Sequence, residues 1–154
     1  EELVDPVFVE TKSRNEPLTI VYIDVDDFKH FNDVNGHEDG DSVLVAVADS
    51  IRGISRAVDL CFRVGGDEFA IVMPSCGEKD AHSNYVPRLW KQLHSIRNDI
   101  SLSIGICQTG PNDYISIEST LSKADKNMYL DKRKEKSKED KKLVSVKANR
   151  SANE

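Results

Sequence analysis

The segment Leu18 to Val25 (LTIVYIDV) is a nearly continuous apolar and β-branched run that ends in acids. That pattern predicts a strand buried on both faces. Phe28 to Val34 predicts a short helix, closed by Asn35-Gly36. Between Asp41 and Ile54, the apolar residues Val43, Leu44, Val47, Ala48 and Ile51 fall on one helical face. Asp41 or Ser42 is the expected cap of that helix. Leu60 to Val64 and Phe69 to Met73 read as two strands around Gly65-Gly66-Asp67-Glu68, a hairpin whose glycines are expected to supply positive φ. Pro74 and Gly77 stop the second strand. Asp80 to Ile96 predicts a less regular helix carrying Trp90 and Leu93, and Ile100 to Cys107 alternates as a strand. Ile117 to Lys132 predicts a helix that turns Ile117, Leu121, Ala124 and Met128 inward. The Lys/Glu/Ser run from Arg133 reads as a helix tail, followed by one last strand at Leu143 to Val146 and a loose terminus.

The resulting order is β-α-α-β-β-α-β-α. Interleaved elements with a hairpin in the middle predict an α+β fold, with a mixed, largely antiparallel sheet flanked by helices. At 154 residues the chain suits one domain, which buries roughly 70% of its unfolded surface and needs no disulfides to do so. The expected division is a helix over 1–17 leading in from an upstream region, a catalytic unit over 18–147 and a tail over 148–154. The chain opens on Glu1 rather than Met, as expected for a piece of a longer protein.

Composition narrows the chemistry. The 27 acids outnumber the 21 Lys and Arg, a net charge of -6. A general nucleic-acid binder needs a basic face to displace counterions, so nucleic acid is not an expected partner. Cys61, Cys76 and Cys107 lack metal-site spacing and are expected to be idle or buried thiols in a reducing cytoplasm. No apolar run approaches the roughly 20 residues of a membrane span.

Two acidic tips carry candidate chemistry. Asp24, Asp26 and Asp27 end the first strand, and carboxylates two apart on an extended chain share one side. Such a pair suits Mg²⁺, a hard cation that takes oxygen ligands and substrate phosphates. Gly65-Gly66 lets the backbone approach a ligand, and Asp67-Glu68 follow at once. Either tip alone also reads as a solvated acidic turn. Together they fit a pair of metal ions roughly 3.5–4 Å apart, as in two-metal phosphoryl transfer. An acidic site repels a triphosphate unless a cation bridges them.

The run Arg63-Val64-Gly65-Gly66-Asp67-Glu68-Phe69 resembles the signature of the GGDEF family, the diguanylate cyclases. Asp24-Val25-Asp26-Asp27-Phe28-Lys29 is similar to that family's D-x-D-x-F-K segment. Asn32-Asp33, Gly36-His37, Gly40-Asp41, Ser103-Ile104-Gly105, Ala124-Asp125, Met128-Tyr129 and Lys132 match further family positions in order. The resemblance covers residues 18 to 136.

It implies a fold like the nucleotidyl cyclase and polymerase palm domains, and joining of two GTP into cyclic di-GMP with release of pyrophosphate. Asp24, the Val25 carbonyl and Asp67 would hold Mg²⁺, two ions per site, with Mn²⁺ as an alternative. Glu68 would assist at the reacting 3′-hydroxyl or help hold a metal. Gly65 and Gly66 would lie against the nucleotide, and Phe28, Lys29 and Lys132 would contact its phosphates. Asn32 and Asp41 would read guanine, whose N–H edge suits a carboxylate. His37 receives no catalytic role. Each domain would hold one GTP, so the active unit would be a homodimer.

Arg56-Ala57-Val58-Asp59, with five residues between it and Gly65, resembles the family's R-x-x-D inhibitory site for product. Two departures stand out. The family's L-T-G-L-x-N-R-R stretch before the first strand is missing. Lys136 also stands where the family often has Arg, which keeps the charge and loses the fork. The expected setting is cytoplasmic, with a sensory or receiver domain upstream and the possibility of a membrane anchor there. The other reading is a GGDEF-type domain without catalysis that senses cyclic di-GMP or GTP. The intact Asp24, Lys29, Gly65, Gly66, Asp67 and Glu68 favour the enzyme.

Overall fold

A computed structural model describes residues 2–151, and the side chains of 2–138 and 140–142. The element order is α1 (Val4–Ser13), β1 (Leu18–Val25), α2 (Phe28–Asn35), α3 (His37–Ile54), β2 (Leu60–Arg63), β3 (Glu68–Pro74), α4 (Glu78–Asp80), a π-helical turn (Ala81–Tyr85), α5 (Val86–Ile96), β4 (Leu102–Thr109) and α6 (Ile117–Ser151). The four strands form one sheet in the order β2-β3-β1-β4. All three pairings are antiparallel.

β1 is central, and all eight of its residues are buried. Its alternate residues face two cores. Val21, Ile23 and Val25 join Phe69, Ile71 and Met73 of β3 against Val43, Val47 and Ile51 of α3 and Leu89 and Leu93 of α5. Leu18, Ile20 and Tyr22 join Ala70 and Val72 of β3 against Val4 of α1 and Ala124 and Met128 of α6. A strand covered on both faces has no solvated side to alternate with, so it reads as a continuous apolar run.

Several boundaries differ from expectation for physical reasons. α3 begins at His37, so neither Asp41 nor Ser42 caps it; Gly36, at φ 88°, makes the turn from α2 and places Glu38 and Asp39 in the first turn. Acids there complement the helix dipole. The expected helix over Asp80–Ile96 is broken by the π turn. Its buried residues Ala81, Tyr85, Leu89 and Leu93 recur every four positions, and a wider turn keeps that spacing on one face where 3.6 residues per turn would drift. β4 runs over Leu102–Thr109 because it matches β1 residue for residue, from Val25↔Leu102 to Leu18↔Thr109.

Leu143–Val146 is not a strand. It lies within α6, which continues through 148–151; residues 152–154 are outside the described residues. Lys and Glu favour helix, and Lys138 pairs with Glu135 at 2.8 Å. The nearest sheet edge is also engaged, since Asp131 accepts from the Ile104 amide at 3.0 Å and Asn127 donates to the Ile106 carbonyl at 2.8 Å. Among the described residues no helix is long and apolar enough to cross a membrane.

α6 lies directly on β4 because Gly105 has no side chain. A Cβ there would stand 2.0 Å from the Ala124 carbonyl oxygen and 2.1 Å from the Met128 amide nitrogen. Both are helix backbone and cannot yield locally. Gly105→Val is expected to lower stability by about 3 kcal/mol, measured by urea unfolding; an unchanged midpoint would show that α6 is not held by this contact.

Candidate active site

The pairing register sets the site. Asp24 of β1 lies opposite Glu68 of β3 and opposite Ser103 of β4. Directly opposed residues share a face, so these three form a row across the sheet on the side covered by α6. Val25 donates its amide to the Asp67 carbonyl at 3.0 Å, which ties the end of β1 to the hairpin. The ends of the two acidic tips therefore meet.

Asp24 is 7% exposed. Its Oδ2 accepts from the Lys132 ammonium at 3.2 Å, while its Oδ1 is buried with no partner. Burial raises the Asp24 carboxyl from 3.8 to about 6, with Asp67 and Glu68 adding to the rise and Lys132 opposing it. Tyr22, two residues earlier on the same face, donates its hydroxyl to Glu68 Oε2 at 3.0 Å. Burial and that carboxylate raise the Tyr22 phenol well above its usual value, so it stays a donor. Ser103 donates to Asp26.

The hairpin loop is held from within. Arg63 donates to the Gly65 carbonyl at 3.2 Å and to the Gly66 carbonyl at 2.6 Å. Neither glycine has positive φ, contrary to expectation; Gly36 and Gly110 are the glycines that do among the described residues. Gly65 instead leaves room for Glu68, since a Cβ would stand 3.0 Å from Glu68 Oε2 and press on a carboxylate held by Tyr22. Gly66 has nothing within 4 Å of such an atom, leaving an open backbone face.

Beside this row, a cleft between α2 and α6 is lined by Asp26, His30, Phe31, Lys132 and Lys136. Lys132 and Lys136 are one turn apart on α6 and point to the same side. Phe28 is half-buried against the α3 core. Lys29 is exposed and does not line the cleft, whereas His30, which sequence reasoning passed over, does. Asn32 lies so close to Gly40 that a Cβ on the glycine would overlap its Oδ1 at 1.6 Å. That Oδ1 is buried without a partner, and Asp41, the next residue on α3, is exposed. His37 is exposed at the start of α3.

Arg56 and Asp59 form a closed pair at the far end of the sheet. Arg56 Nη2 donates to Asp59 Oδ1 at 2.7 Å and to the Pro74 carbonyl at 2.8 Å, and the Arg56 amide donates to Asp59 Oδ2 at 2.7 Å. They line a groove with Cys76, Tyr85 and Arg88. Cys76 is buried, Cys107 half-buried and Cys61 exposed.

The residues present fit a divalent cation. Asp24 offers an orphaned, buried carboxylate oxygen, and a lysine ammonium already sits on its other oxygen. Among the described residues no three acid, imidazole or thiol groups converge on one point. A divalent cation bound here would draw the rest of its shell from backbone, water and substrate oxygens. Tyr22 and Arg97 were not singled out from the sequence. Strand alternation, which puts Tyr22 on the face of Asp24, was the signal available for the first.

The Asp24 shift has a testable sign. The folded chain holds this proton more tightly than the unfolded chain, so between 3.8 and about 6 it binds more protons. Rising pH therefore favours unfolding across that window. With chelator present, the stability of Asp24→Asn relative to the unaltered chain is expected to rise as pH increases through this range, read by urea unfolding at each pH. A difference that stays flat would remove burial as the cause.

The family model described as "Diguanylate cyclase, GGDEF domain" matches residues 2–138. Diguanylate cyclase TpbB of Pseudomonas aeruginosa is 36% identical over 131 residues, 80% of this chain and 30% of that protein. Diguanylate cyclase DosC of Escherichia coli is 33% identical over 124 residues, 77% of this chain and 27% of that protein. The chain thus spans about a third or less of the curated relatives it matches. Among solved structures, the active GGEEF domain of a diguanylate cyclase from Vibrio cholerae superposes with a TM-score of 0.71 at 28% identity, covering 84% of this chain and 85% of that one. The GGDEF domain of DgcB from Caulobacter crescentus, solved with c-di-GMP, gives 0.74 at 25% identity, covering 86% and 79%. With the family model spanning nearly the whole chain and the acidic hairpin facing Asp24, the chain belongs to the diguanylate cyclase GGDEF-domain family.

Proposed function

We propose that this domain is an active diguanylate cyclase, converting two GTP into cyclic di-GMP and two pyrophosphates. The observation that carries the reading is the row of Asp24 opposite Glu68, with Asp67 tied to Val25, beside a cleft containing Lys132 and Lys136. Acids at one side and lysines at the other match a metal-bridged triphosphate in a chain of net charge -6.

In this reading Asp24, the Val25 carbonyl and Asp67 hold Mg²⁺, with Mn²⁺ able to replace it. The divalent ions, when bound, neutralise the phosphates and stabilise charge developing at the α-phosphorus. Lys132 leaves Asp24 for the phosphates, joined by Lys136 and by Lys29, which must swing inward from α2. Phe28 supports the phosphate end, and Gly65 and Gly66 let the nucleotide lie against the hairpin. Glu68, held by Tyr22, stands where it can orient the attacking 3′-hydroxyl or complete a metal shell.

The guanine base lies between α2 and α3. Asp41 accepts from its N–H edge, and Asn32 completes the set; the orphaned Asn32 oxygen is an acceptor that a ligand donor would satisfy. The 3′-hydroxyl of one GTP forms a bond to the α-phosphorus of the other as the bond to pyrophosphate breaks, twice per product. Each domain holds one GTP, so two copies face each other as a homodimer. The catalytic unit is assigned to 18–147, with 1–17 leading in from an upstream sensory or receiver domain. With GTP as its substrate, the domain is assigned to the cytoplasm.

Arg56 and Asp59 are proposed as a product site, which cyclic di-GMP would enter by opening their mutual pair. The c-di-GMP complex of the Caulobacter domain supports product binding within the family.

Incubating the chain at high concentration with GTP and Mg²⁺ is expected to yield cyclic di-GMP, and Asp67→Ala is expected to abolish it, read by nucleotide chromatography. GTP binding without product would favour a sensing module. Arg56→Ala is expected to raise the cyclic di-GMP concentration needed for inhibition by roughly tenfold or more, the loss of a charge-assisted contact; equal inhibition of both proteins would refute the product-site assignment.

A further inference from the structure

α2 carries Phe28, Lys29 and Asn32, yet none of its residues is buried. Its core contacts are the half-buried rings of Phe28 and Phe31, so its position depends on further contacts at its outer side. Arg97, just beyond the end of α5, supplies one, through its guanidinium over Phe31. Its backbone amide donates to the Leu93 carbonyl at 2.7 Å, anchoring it to a helix whose Leu89 and Leu93 are fully buried. Its side chain is 18% exposed. Nη1 donates to Asp39 Oδ1 at 2.8 Å and to Ser42 Oγ at 3.2 Å, and Nη2 to Asp39 Oδ2 at 3.3 Å. Nε and Nη2 donate to the two oxygens of Asp99 at 2.9 and 2.7 Å. The guanidinium also stands 5.4 Å from the centre of the Phe31 ring. All five N–H donors are used, in a planar fork that lysine cannot reproduce.

These contacts surround the base-reading pair. Asp39 and Ser42 flank Gly40 and Asp41, and Phe31 precedes Asn32. We propose that Arg97 is a specificity-positioning residue, which clamps the first turn of α3 and the ring of Phe31 so that Asp41 and Asn32 are held in the relation that selects guanine. The inference rests on the guanine-reading assignment of that pair. Arg97 touches no substrate. It acts by limiting how far α2 and α3 move apart, and a loosened pair would still bind phosphates through Lys132 and Lys136 while losing the base-specific bonds.

The test compares binding of GDP and inosine diphosphate, which lacks the 2-amino group, by calorimetry with Mg²⁺; neither nucleotide completes the cyclase reaction. The unaltered chain is expected to prefer GDP. Arg97→Lys is expected to weaken GDP binding and to narrow the preference by roughly fivefold to tenfold, with inosine diphosphate little changed. Asp39→Asn, at the other end of the clamp, is expected to do the same and keeps the test open should Arg97→Lys fold poorly. A role in stability alone would lower the unfolding midpoint and leave the preference intact; that result in both variants overturns the clamp and spares the guanine reading. An unaltered chain that binds both nucleotides equally would overturn the guanine reading, and the clamp with it.

Discussion

The double burial of β1 is the constraint on which the molecule depends. A strand paired on both edges and covered on both faces has one register that satisfies its ladder and its two cores. That register puts Asp24 opposite Glu68 and Ser103 at the point where the apolar run ends. The carboxylate is thus carried into a desolvated place by the same packing that stabilises the sheet. An orphaned oxygen and a raised proton affinity are the result.

The electrostatics follow from this placement. Lys132 reaches Asp24 from a helix that Gly105 allows to lie on the sheet. The same close approach aligns Lys136 along the cleft. The hairpin is stiffened by Arg63 closing on the Gly65 and Gly66 carbonyls, while the Cβ side of Gly66 stays open. Scaffold contacts and site contacts are therefore largely the same contacts, and they lie within the residues that the family model matches.

Much of this was legible in the sequence because local pattern and global fold agree. β1, the α3 face and the acidic hairpin were visible as apolar runs, helical spacing and Gly-Gly-Asp-Glu. What escaped were features set by partners distant in the chain. The π turn answers a core that asks for every fourth residue. The helical state of Leu143–Val146 reflects the helix preference of the Lys/Glu run before it together with an edge already engaged by α6, and only the second depends on folding. Gly65 looked like a turn glycine, yet its φ is not positive and its missing Cβ gives room to the Glu68 carboxylate. Arg97 carried no signal in the sequence, since Asp39 is brought to it only by folding.

The treatment of the sheet's two margins has a consequence for behaviour in concentrated solution. Exposed strand margins template pairing between molecules. On the β4 side, Asp131 and Asn127 occupy the amide of Ile104 and the carbonyl of Ile106. The opposite margin is β2, only four residues long. One margin is blunted and the other brief, so copies of the fold can crowd together in solution without fusing strand to strand.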